Sequence, residues 1–348
     1  MHNPSWRSDR FLRACRGEAV DTTPIWMMRQ AGRSLPEYRR FREHYSLAEI
    51  VAQPELCTEV TLQPVNRFEV DAAVMFADIM LPLTGMGVEF ELVEQVGPVI
   101  NQPIRRAADV ERLRIPEGEE AAPQVIAAIR QVVKASPVPV IGFSGAPFTL
   151  ASYLIEGQPS RSFTLTKQFM FSQPEAFDRL LAKLAQVMSG YLTAQVGAGV
   201  DAIQLFDSWI GALAVEDYRD RVALHDQAIF TATAALGVPR IHFGTGTAGL
   251  LEELATSGAE VIGLDWRLPL AEGWRRVGGD KRVQGNLEPA VLLGPPELIR
   301  QRTQAVLRQA GGRPGHIFNL GHGVLPETPL ESLQLLVESV HQGGQSVV

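Results

Sequence analysis

Eight short apolar runs rich in Val, Ile and Phe punctuate the chain, at 24–28, 70–76, 138–143, 200–206, 239–243, 260–264, 281–285 and 315–320. Most of the gaps between them carry helical patterns. In the clearest, Pro174 to Ala198, residues Phe177, Leu180, Leu181, Leu184, Val187, Met188 and Tyr191 mark one helix face. Gly197 and Gly199 are expected to close it. Near-continuous apolar strands alternating with helices specify a parallel sheet covered on its outside. Eight such units favour a (β/α)8 TIM-type barrel over an open doubly wound sheet. The 348 residues suit one undivided barrel. No linker, low-complexity tract or internal repeat interrupts them, so a single domain over 1–348 is expected. One interval breaks the rhythm: GVEFELVEQVGPVINQPI alternates apolar and polar residues around Glu94 to Gly97, the pattern of a β-hairpin inserted on a barrel loop.

Charge narrows the partners. A formal net charge of -7 argues against a nucleic-acid footprint, which is normally basic. Residues 1–45 nevertheless hold nine arginines against five acids. A basic entry segment on an acidic protein points to an anionic small molecule drawn in locally, or to clustering on a solvated N-terminal helix. Two cysteines, Cys15 and Cys57, exclude a disulfide framework and point to a reducing compartment. No run has the roughly eighteen apolar residues of a membrane span, and the first twenty residues lack a signal-peptide core. A cytoplasmic protein with no membrane partner is expected.

In such barrels the chemistry lies where the strands end. The first run ends in Arg29-Gln30-Ala31-Gly32-Arg33, two guanidinium forks separated by small residues that let the backbone turn. That spacing suits a ligand with several carboxylates, or a structural ion pair pinning the N-terminal segment. Leu35-Pro36-Glu37 then reads as a helix start. Asp78 is a lone acid after the second run, Tyr153 follows the third, Asp207 and Ser208 follow the fourth, and His322 lies between glycines after the last. Each has a plainer reading: a turn residue for His322, a helix cap for Asp207, core filling for Tyr153.

Other chemistries fit less well. Gly244-Thr245-Gly246-Thr247-Ala248-Gly249 is a literal GxGxxG between strand and helix, with Asp265 about twenty residues on, as in dinucleotide-binding folds. It follows four earlier units instead of opening the fold, and such a loop suits any anion. The seven histidines form no HExxH, and no cysteine follows Cys57, so a thiolate zinc site is not expected. Ser144 in GFSGA is not a GxSxG elbow.

The stretch PIWMMRQAGRSLPEYR resembles the N-terminal signature of the uroporphyrinogen decarboxylase family. The likeness continues through FADIM, GAPFTLASYLIEG, QLFDSW, HFGTG, GLDWR, QGNLEP and NLGHGVLPETP. One departure is Ser34, where the family usually has an aromatic residue. The resemblance implies a cofactor-free lyase without metal, a homodimer, built as one distorted barrel. It would convert uroporphyrinogen III to coproporphyrinogen III by removing CO2 from four acetate side chains, a step of haem and chlorophyll synthesis.

It also implies roles. Asp78 would stabilise the cation formed when a pyrrole ring is protonated, and should therefore be ionised. Arg29 would meet the reacting acetate, with proton donation a second option. Arg33 and His322 would bind other carboxylates, Tyr153 and Ser208 would donate hydrogen bonds, and the backbone through Gln30, Ala31 and Gly32 would line the site. Met28, Ile79 and Phe206 are candidate apolar walls. Two alternatives remain at this level: a non-catalytic tetrapyrrole-binding barrel, and a relative of the corrinoid methyltransferases, which use thiolate-bound zinc.

Overall fold

In a computed structural model of the chain, residues 9–93 and 97–343 are described. Seven parallel strands form one curled sheet: β1 (Ala73–Val74), β4 (Val140–Gly145), β5 (Ala202–Asp207), β6 (Arg240–Gly244), β7 (Val261–Gly263), β8 (Arg282–Gln284) and β9 (His316–Ile317), hydrogen-bonded in that order. The registers run from Ala73 opposite Val140 to Gln284 opposite Ile317. Two further strands, β2 (Phe90–Val93) and β3 (Gly97–Ile100), pair antiparallel to each other. The turn expected between them, at 94–96, lies outside the described residues.

The first apolar run, 24–28, occupies the remaining place without forming a ladder. Ile25 makes an isolated parallel bridge to Phe318, whose N–H donates to the Pro24 carbonyl at 2.8 Å. On the other side a carboxylate stands in for a strand. Asp71 N–H donates to the Ile25 carbonyl at 2.8 Å, and Ile25 N–H donates to Asp71 Oδ2, also at 2.8 Å. Pro24 has no N–H to give a ladder and the Arg29 turn follows at once, so the segment joins the two sheet edges through the Phe318 bridge on one side and the backbone and carboxylate of Asp71 on the other.

Inside the barrel, Trp26 Nε1–H donates to Gln284 Oε1 at 3.0 Å, and Gln284 Nε2–H donates to Gln204 Oε1 at 3.1 Å. Residues from opposite sides of the sheet thereby meet across a core filled by Ile, Val and Phe. Outside, the 25-residue helix Pro174–Ala198 buries the apolar stripe read from its spacing. Gly199, at φ 109°, closes it alone, and Gly197 belongs to the helix itself. Pro36 takes the first position of helix Pro36–His44, as its fixed φ favours.

Candidate active site

Five elements deliver side chains to the face where the parallel strands end. The first is the turn after 24–28. Arg29 adopts φ 59°, the left-handed region costly for a residue with Cβ. Gln30 braces that turn from below. Fully buried, it accepts the Met27 N–H at 2.9 Å and donates to the Ala72 carbonyl at 3.0 Å. Both ends of its amide are thus occupied within the protein, so the Gln30 side chain holds the turn while its backbone stays part of it. Ala31 is packed into the core and Gly32 turns the chain toward Leu35.

The arginines differ from expectation in an informative way. Neither guanidinium is buried, and neither makes a hydrogen bond or ion pair among the described residues. A structural ion pair pinning the N-terminal segment is therefore not what they form. That task falls to Arg10, which bridges Asp71 at 2.6 Å and Asp21 at 2.5 Å. Arg29 and Arg33 are two cations held ready on a braced turn.

Asp78 stands beyond β1, its Oδ1 accepting the Met80 N–H at 2.8 Å. Burial pushes its carboxyl above the ordinary carboxylate range, against the opposing pull of the Met80 N–H and the Arg29 charge. In the free protein, one amide and one cation do not make up for the water this carboxylate has lost.

Tyr153 lies on helix Pro147–Glu156, half-buried, with its ring 3.9 Å from that of Trp209. Desolvation, reinforced by the Asp78 charge, raises its hydroxyl pKa, so it remains a donor. His322 follows β9, its ring edge-on to Trp266. Burial, then the charges of Arg29 and Arg267, lower its pKa to about 4 in spite of Asp265. It is a neutral imidazole at neutral pH, able to donate one hydrogen bond but not to supply a cation. Arg29, Asp78, Tyr153 and His322 thus lie within one another's fields. Ser208 follows β5 directly, next to the Trp209 whose ring packs on Tyr153. Among the proposed walls, Met28 is buried, and Ile79 and Phe206 are half-buried, with Phe206 packed edge-on against Phe143.

Asp207 proves structural. It is fully buried and accepts the Thr149 hydroxyl at 2.7 Å, and Thr149 Oγ1 in turn accepts the Trp209 N–H at 3.3 Å. Its second oxygen faces a buried trio with Asp226 and His242 that no spacing in the sequence signals. His242 Nε2 is 3.9 Å from Asp207 Oδ2 and 4.0 Å from Asp226 Oδ2. Burial, then the neighbouring Asp207 charge, pushes the Asp226 carboxyl well above the usual carboxylate range.

The GxGxxG loop is likewise absorbed by packing. A Cβ on Gly211 would fall 2.3 Å from the Thr245 carbonyl, so the loop is pressed against the 210–212 turn. Asp265 receives the Gly246 N–H and the Arg267 guanidinium and is not free for a ribose. The helix that follows spans only Leu251–Ala255. Trp266 and Arg267, beside His322, went unassigned in the sequence. The strand-end criterion applied to 260–264 would have found them.

A parallel barrel with two arginines unpaired among the described residues, a half-buried acid and neutral donors after its strands has the layout of a small-molecule enzyme. Comparison with known proteins gives the particular kind. Residues 7–343 match the family model described as Uroporphyrinogen decarboxylase (URO-D), and the chain belongs to that family. A protein named uroporphyrinogen decarboxylase from Sorangium cellulosum is 52% identical over 335 residues, covering 96% of each chain. One of the same name from Thermus thermophilus is 52% identical over 336 residues, covering 96% of this chain and 98% of its own. Among solved structures, a methyltransferase from Methanosarcina mazei superposes with a TM-score of 0.80 at 21% identity, over 96% of this chain and 97% of that one, and so shares the fold.

Proposed function

We propose that this chain is a carboxy-lyase that removes CO2 from the four acetate side chains of uroporphyrinogen III, giving coproporphyrinogen III in tetrapyrrole biosynthesis. The observation that supports this reading is the Arg29 guanidinium, without an ion-pair partner among the described residues and close enough to act on the Asp78 carboxyl, with Arg33 exposed on the same turn. A substrate with eight carboxylates is their natural complement. Family membership supports the reaction, and the bracing of Arg29 by Gln30 supports a turn built to hold that guanidinium.

The chemistry follows from where electrons can go. A carboxylate leaving a pyrrole acetate needs a sink, and protonating the ring creates one. Asp78, facing the macrocycle's N–H groups, receives from them the donors that the free protein lacks. Its pKa falls as substrate binds, and the anion then stabilises the pyrrolic cation. Opposite unit charges about 4 Å apart at an effective dielectric near 20 attract by about 4 kcal/mol, on the order of a thousandfold in rate if the interaction arises in the transition state. Arg29 orients the reacting acetate, and its very high intrinsic pKa favours positioning over direct proton donation. Arg33 grips a second carboxylate. Tyr153, Ser208 and neutral His322 donate hydrogen bonds.

We read residues 1–348 as one barrel acting as a cytoplasmic homodimer, with no cofactor, metal, nucleic-acid or membrane partner. Among the described residues no helix is long and apolar enough to cross a membrane. Anaerobic incubation with uroporphyrinogen III, with products separated by carboxyl count, tests the reaction. The expected series runs from eight carboxyls to four. Binding without CO2 release would instead indicate a tetrapyrrole-binding barrel.

A further inference from the structure

Gly323 sits between His322 and a residue, Val324, whose N–H donates to the Met28 carbonyl at 2.9 Å. This contact lays the loop after β9 directly against the Arg29 turn. A Cβ built on Gly323 would lie 2.4 Å from Arg29 Cδ, 2.8 Å from Cγ and 3.1 Å from Cβ. Ordinary carbon contacts lie near 3.5–4.0 Å. The Gly323 backbone itself does not require glycine, for it is not among the positive-φ residues. What requires glycine is the arginine stem crossing it.

We propose that Gly323 is a positioning residue for Arg29: its missing side chain is the channel through which the Arg29 stem reaches the substrate's carboxylates. Arg29 cannot yield by rotating at its far end, because the clash reaches back to Cβ, which is fixed by the backbone. The backbone is fixed in turn by Gln30 below and by the Met28 contact alongside. A methyl group at 323 therefore redirects the whole stem and not merely its tip. His322, one residue away, would keep its own place. The sequence showed Gly323 only as one glycine of a GHG turn, where glycine is usually explained by backbone freedom.

This inference rests on the reading that Arg29 grips substrate, and a double-mutant cycle separates the two. The variants are Gly323→Ala, Arg29→Ala and the pair together, each assayed anaerobically with uroporphyrinogen III for kcat/KM and for thermal midpoint. Gly323→Ala is expected to lower kcat/KM on the order of a hundredfold, the scale of a misplaced catalytic contact. It should cost nothing further once Arg29 is alanine. A Gly323→Ala enzyme within threefold of wild type, or an equal loss in both backgrounds, overturns the role of Gly323. Full activity in Arg29→Ala overturns the underlying site reading instead. Should Gly323→Ala fail to fold, the double variant must fold, since the stem is gone; failure of both also overturns the proposal.

Discussion

Asp78 holds the tension of the site in one carboxyl. A group raised above 3.8 by burial binds its proton more tightly folded than unfolded, so stability declines as pH rises from 3.8 through the folded value. On the proposed function, the fold carries this cost where a pyrrole cation is to be met. Asp78→Asn keeps an acceptor for the Met80 N–H and removes the charge. We expect a higher thermal midpoint at pH 7 together with a loss of turnover on the order of a thousandfold. Differential scanning calorimetry and anaerobic kinetics on the same preparation check both, and a midpoint unchanged or lowered would contradict burial as the dominant influence. The acid limb of kcat is likewise expected at lower pH than that of kcat/KM, because the first reports the substrate complex and the second the free enzyme.

At the scale of elements, Asp71 is the joint of the barrel. Its Oδ2 receives Ile25 N–H and faces His341 Nε2 at 2.8 Å, and its Oδ1 pairs with Arg10. A single buried carboxylate thus ties the closing segment 24–28 to helices Arg10–Arg16 and Leu330–Gly343. Asp71→Ala leaves the Ile25 N–H and Arg10 without their acceptor. The expected cost is about 3 kcal/mol by chemical denaturation, with lowered activity as the Arg29 turn loosens. A cost below about 1 kcal/mol would show that the Ile25–Phe318 bridge closes the barrel unaided. This joint was not legible in the sequence. The apolar runs and their helical gaps specify strands because burial on both faces leaves a compositional trace. That 24–28 would bridge and not pair depends on a carboxylate 46 residues away. Arg29, Asp78, Tyr153, Ser208 and His322 were legible because strand ends in a barrel share one face. The sealed amide of Gln30, the exposed guanidinia and the raised Asp78 were not, because desolvation depends on what packs around a residue.

Over the whole molecule, the buried histidines set the acid limit of the fold. His316 on β9 is almost wholly enclosed, with Nε2 2.9 Å from the Gly285 carbonyl. That contact fixes the tautomer with the proton on Nε2. Burial lowers its pKa from 6.5 to about 4, and His322 beside the site shows the same shift. For both, the unfolded chain takes up a proton between those values while the folded chain does not. Stability is therefore complete above pH 6.5 and is lost as pH falls toward 4. For a fully buried ring the interval corresponds to at most on the order of 3 kcal/mol, and His322, partly open to solvent, contributes less. Carboxylates such as Asp21, held down to about 2 by Arg10, begin to lose their contribution only at the lower end of that window. His316→Gln retains a donor for Gly285 and cannot be protonated. Its denaturation free energy should fall less steeply than that of the wild type between about pH 6.5 and 4.5, whatever its absolute stability. Parallel curves for the two proteins over that range would contradict burial as the cause of a depressed His316 in the folded chain.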